Sequence, residues 1–68
     1  NPLQQLSVRE FEIFRMLVDG VEVAQIAQRL NISLKTVANY QTTIKQKLKV
    51  NTPIEMVRLG IRHGLINE

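Results

Sequence analysis

No cysteine and no tryptophan occur in these 68 residues, which hold only three glycines, two prolines and a single histidine. Without thiols the chain builds neither a disulfide framework nor a cysteine-ligated metal site. Its apolar runs fall far short of the roughly 20 residues that cross a bilayer as a helix. The glycines are too scattered to form a loop that cradles a phosphate. No stretch alternates apolar and polar residues with the β-branched enrichment of a strand. The lone histidine, His63, lies near the end while the carboxylates sit on scaffold segments, so no nucleophile, base and orienting group come together. The expectation is a protein that is not an enzyme, with no metal, cofactor, small-molecule ligand or membrane association.

The most informative absence is of negative charge. No acidic residue stands between Glu22 and Glu55, whereas Arg29, Lys35, Lys45, Lys47 and Lys49 do. The net charge of +3 therefore conceals polarity: residues 1–22 carry −2, residues 23–54 carry +5 and residues 55–68 sum to zero. A positive field with one address points to a polyanionic partner. With 44% hydrophobic residues the chain can close one small core and has little apolar surface left over. A cytoplasmic protein is expected, and the first residue, Asn1, suggests a piece of something longer. We divide it into a linker remnant, 1–6, and one domain, 7–68.

That domain reads as all-α, a four-helix bundle with helices at about 8–19, 23–30, 34–49 and 53–63. Ser7 and Glu10 form a Ser-x-x-Glu capping box behind Leu6, and Asp19-Gly20 ends the first helix. Ile13, Phe14 and Leu17 share its apolar stripe, leaving Arg9, Glu12 and Arg15 for water. In the second helix Ile26, Ala27 and Leu30 face a core, and the small Ala27 lets the next helix cross closely. The break is Asn31-Ile32-Ser33: Asn31 tolerates the left-handed conformation, Ile32 plugs the gap, and Ser33 caps the third helix. This is the grammar of a helix-turn-helix.

The third helix separates its residues by chemistry. Val37, Tyr40, Ile44 and Leu48 recur at spacings of three and four and bind it to the scaffold. Lys35, Asn39, Thr42 and Gln46 stand opposite as a ridge of hydrogen-bonding side chains, flanked by Lys45 and Lys49 on one side and Lys47 on the other. A ridge suited to base edges between cations suited to phosphates is what a helix needs in a major groove. Lys35 and Thr36 also sit by the helix N-terminus, which itself favours phosphate.

The pattern Leu6-Ser7-x-Arg9-Glu10, Gly20, Ile26-Ala27-x-x-Leu30-x-Ile32-Ser33-x-Lys35-Thr36-Val37 and Ile44-x-x-Lys47-Leu48-x-Val50 spans nearly the whole chain. It resembles the LuxR-type output domain. The closing Ile61-Arg62-His63-Gly64-Leu65, with Tyr40 where many relatives have histidine, is most similar to the response-regulator branch of NarL-like and GacA-like proteins. The resemblance implies a bacterial transcription factor that binds double-stranded DNA below an upstream receiver domain. It places recognition residues at Lys35, Thr36, Ala38, Asn39, Thr42 and Thr43, which overlaps the ridge found from periodicity. The assignment is base readout by Lys35, Ala38, Asn39, Thr42 and Gln46, with phosphate contacts from Ser33, Thr36, Thr43, Lys45, Lys47 and Lys49. Asn39 suits adenine, and Ala38 and the Thr42 methyl suit a thymine methyl. The chain departs from the family at Glu22-Val23, where relatives commonly place Ser or Thr followed by Asn.

The fourth helix opens on Thr52-Pro53-Ile54-Glu55, a further capping box with proline at its first position. Ile54, Val57, Ile61 and Leu65 are expected to face the core. Met56, Leu59, Gly60 and His63 then form an outward patch, a candidate interface for a homodimer on an inverted repeat, as the resemblance also implies. The rival reading is a helix-turn-helix interaction module whose basic face grips an acidic protein.

Overall fold

Three of the four helices begin at a side-chain cap, Ser7, Ser33 or Thr52, the one that follows Glu22 does not, and each ends where its cap N–H closes on a carbonyl of the last turn. A computed structural model describes residues 2–64 as a 3-10 turn, Pro2–Gln5, followed by α1 (Val8–Val18), α2 (Val23–Leu30), α3 (Leu34–Leu48) and α4 (Pro53–Arg62). Among the described residues there is no strand, so the molecule is all-α with four helices, as expected. At the head of α1 the Glu10 N–H donates to Ser7 Oγ at 3.1 Å and the Ser7 N–H donates to Glu10 Oε1 at 2.8 Å, the reciprocal capping box. Gly20 follows the Asp19 cap at φ +85°, a conformation that glycine adopts without steric cost.

The turn between α2 and α3 forms as its residues dictate. Asn31 lies in the left-handed region at φ 57°, ψ 46°, and the Ile32 N–H closes the helix on Ala27 O at 3.0 Å. Ser33 Oγ then accepts the Thr36 N–H at 3.0 Å to start α3. Helix α3 stops at Leu48, one residue before the expected end. Lys49 turns left-handed at φ 56°, and the Val50 N–H closes on Lys45 O at 3.1 Å. The chain can then reverse into α4, where Pro53 occupies the first turn and Thr52 accepts the Glu55 N–H at 3.2 Å. The Glu55 carboxylate accepts from the Thr52 hydroxyl at 3.3 Å and the Asn51 N–H at 3.4 Å, a variant of the expected box.

Helix α3 is the central strut, packed on α1, α2 and the 3-10 turn, while α4 packs on α1. Ile13, Phe14, Ile26, Val37 and Ile44 are wholly buried between them. Each contributes roughly 1.5–3 kcal/mol of apolar burial. Ala27, 7% exposed, keeps the contact between α2 and α3 short.

Three expectations need correction. Residues 2–5 are part of the fold rather than a linker, because Leu3 is buried in the core against which α3 packs. Arg9 does not lie wholly in water: its Nη1 is buried without a hydrogen-bond partner, and its Nε is 3.9 Å from Glu12 Oε1. The faces of α4 are the reverse of those expected. Met56 (4% exposed), Leu59 (9%) and Gly60 are buried, whereas Ile54 is 66% exposed. Val57 and Ile61 are half-buried and do not join the side chains packed on the core; His63 is half-buried at the helix cap; Leu65 lies outside the described residues. Met56, Leu59 and Gly60 therefore form no outward patch. Both apolar sets of α4 have helical spacing, so periodicity does not decide which of them is buried.

Candidate nucleic-acid interface

The burial of Val37, Ile44 and Leu48 fixes the rotation of α3, and helical geometry then decides what faces out. Lys35, Ala38, Asn39, Thr42 and Gln46 are all exposed. The Thr42 hydroxyl donates to Ala38 O at 3.2 Å, which ties its polar end to the helix and leaves its methyl group as the contact surface. At the N-terminus Ser33 Oγ and Thr36 Oγ1 lie 2.9 Å apart and share one hydrogen bond. The pair thus keeps one hydroxyl proton for an external acceptor.

The flanking cations are not equivalent. Lys49 is exposed at the left-handed cap, and the half-buried Lys45 runs along a cleft of about 180 Å³ lined also by Leu17, Gln41, Met56 and Val57. Lys47 is engaged inside the domain: its ammonium donates to Glu10 Oε1 at 2.7 Å. Glu10 is the one buried charged residue among those described. The Lys47 hydrogen bond, followed by that from the Ser7 N–H, holds its carboxyl below the usual glutamate range against the opposing effect of burial. Beside this pair a shallow cleft of about 210 Å³ separates α1 from α3, lined by Glu10, Thr36, Asn39, Tyr40 and Thr43. Thr36 and Thr43 thus sit together on the wall of α3 nearest α1, away from Lys45.

A solvent-facing polar ridge on the second helix of a helix-turn-helix, in a segment with no carboxylate, narrows the comparison with known proteins. The GerE family of bacterial regulatory proteins, the luxR family, matches residues 4–59. The chain belongs to the LuxR family. It is 50% identical over 64 residues to the transcriptional activator protein ExaE of Pseudomonas putida, covering 94% of this chain and 30% of that protein. It is 40% identical over 67 residues to the response regulator UvrY of Escherichia coli (strain K12), covering 98% of this chain and 31% of that one. The response regulator GacA of Pseudomonas syringae pv. syringae (strain B728a) is 36% identical over 67 residues, with the same shares of 98% and 31%. The chain thus spans about a third of the length of these relatives. No solved structure matches it.

LuxR-family membership carries the coarse function, DNA binding in bacterial transcription regulation. Among the described residues no helix is long and apolar enough to cross a membrane, and no cluster of side chains could hold a metal ion. Glu10 is the residue that the sequence reading undervalued. Its capping role is local and legible, but its pairing with Lys47 spans 37 positions and leaves no periodic signal.

Proposed function

We propose that this LuxR-family chain is the output domain of a response regulator with a receiver domain upstream. It inserts α3 into the major groove of double-stranded DNA, where Lys35, Ala38, Asn39, Thr42 and Gln46 read base edges. Ser33, Thr36, Thr43, Lys45 and Lys49 meet phosphates along the groove walls. Lys47, paired to Glu10, sets the position of the helix rather than serving as a free cation. Two copies bind an inverted repeat through the outward face of α4, which carries Ile54, Val57 and Ile61 in place of the Met56 and Leu59 surface. The protein works in the cytoplasm.

The observation that carries this reading is the ridge itself: exposed side chains of neutral hydrogen-bonding type with one lysine, in a stretch of net charge +5. A merely solvated helix face usually mixes acids with bases, whereas base readout requires donors and acceptors that a phosphate backbone does not repel. Selection of bound sites from random duplexes tests it. The expected result is one inverted repeat bound far better than scrambled duplex, with affinity that falls steeply as salt rises. Asn39→Ala is expected to cost about 1–3 kcal/mol and to relax preference at a single base pair. Weak association blind to sequence would instead assign the basic face to an acidic protein.

A further inference from the structure

Where α3 ends and α4 runs past it, a groove of about 330 Å³ is lined by Leu48, Lys49, Glu55, Arg58, Leu59 and Arg62. Three of these side chains are cations and one is a carboxylate. That carboxylate is engaged at the start of α4, where Glu55 Oε1 accepts from the Asn51 N–H and the Thr52 hydroxyl. The ion pairs of the described residues are Arg9 with Glu12 and Lys47 with Glu10, so Lys49, Arg58 and Arg62 have no acidic partner among the described residues. Arg58 and Arg62 are exposed and stand one helical turn apart on the same face of α4. Leu48 and Leu59, both buried, give the groove an apolar floor, which strengthens electrostatic attraction above it.

We propose that Arg58 and Arg62, together with Lys49, hold backbone phosphates of the same duplex beyond the bases that α3 reads. The inference rests on the DNA-reading function above and extends its footprint to a second element. Position favours a duplex over an acidic protein. Lys49 is the residue immediately after α3 and lies three positions beyond Gln46, so the groove opens at the C-terminal end of the ridge. A duplex seated on that ridge carries its phosphates past this point. Guanidinium groups suit them, because a planar fork of donors meets two phosphate oxygens at once.

The test compares wild type with Arg58→Gln/Arg62→Gln by titrating the selected duplex and a scrambled one across a range of salt. Each phosphate contact contributes about 0.9 to the slope of log affinity against log salt, so losing two flattens it by about 1.8 on both duplexes. The ratio of specific to scrambled affinity is expected to stay unchanged, because these side chains do not touch bases. Arg58→Lys/Arg62→Lys is expected to restore most of the slope, and helical circular dichroism verifies that the exposed substitutions leave the fold intact. A wild type that discriminates between duplexes, with an unaltered slope in the glutamine variant, overturns this inference and leaves the reading of α3 standing. A wild type that binds both duplexes alike overturns that reading, while a flattened slope would still assign the arginines to phosphate. A wild type that binds neither duplex overturns both and favours an acidic protein partner for the groove.

Discussion

Glu10 performs two tasks with one oxygen. Its Oε1 accepts the Ser7 N–H that starts α1 and the Lys47 ammonium that comes from α3. The scaffold thereby holds α3 at a chosen tilt through a buried carboxylate, with Val37 and Ile44 packed alongside. The cost of breaking the contact is moderate, because Lys47 is 39% exposed and water can take its charge. For Glu10→Gln we expect a loss of about 1–2 kcal/mol at neutral pH, the size of a charge-assisted hydrogen bond plus part of a cap. The sign of the pH effect follows from the lowered folded pKa. The stabilisation is whole above the ordinary glutamate range and is lost as pH falls through the lowered value. Thermal melts at successive pH values should therefore show a steeper acid decline for wild type than for Glu10→Gln. Equal declines would remove Glu10 from this role.

Helix α4 offers two apolar sets, Ile54, Val57 and Ile61 or Met56, Leu59 and Gly60, and only packing selects between them. The unbranched Met56 and the γ-branched Leu59 turn inward, while the β-branched Ile54 turns out. A charge at each position separates the two environments. Met56→Glu is expected to cost more than about 3 kcal/mol, because a carboxylate would be placed in the core without a partner. Ile54→Glu is expected to change stability by no more than about 0.5 kcal/mol while abolishing paired occupancy of an inverted repeat. Chemical denaturation measures the first effect and footprint length the second; a full-length footprint for Ile54→Glu would remove this face from the interface. The helices themselves were legible because their caps are local: Ser7 with Glu10, Asn31 with Ser33, Thr52 with Pro53. The ridge on α3 was legible because one strong apolar stripe fixes its opposite face. The rotation of α4 was not, since periodicity identifies stripes without ranking them. The 3-10 turn was missed because Leu3 alone makes no pattern, and the left-handed Lys49 because lysine carries no signal for that conformation.

At the scale of the molecule, charge and shape limit how two copies can share a duplex. The domain measures 29 × 23 × 21 Å, and its positive charge lies on one segment while residues 1–22 carry four of the six acids. Two such bodies cannot stack their basic faces against each other, but they can lie side by side along a polyanion with α4 between them. Their recognition helices then enter successive major grooves about 34 Å apart, a separation that the 29 Å extent of each domain nearly fills. Half-sites are therefore expected about 10 base pairs apart, centre to centre. Inserting about 5 base pairs between them turns one half-site to the opposite side of the duplex and should cost on the order of 10²-fold in affinity, the linkage between the two copies being lost. Gel-shift titration of the spacer series measures this directly. Equal affinity at every spacing would mean that the domains bind one by one, and that the outward face of α4 has another use.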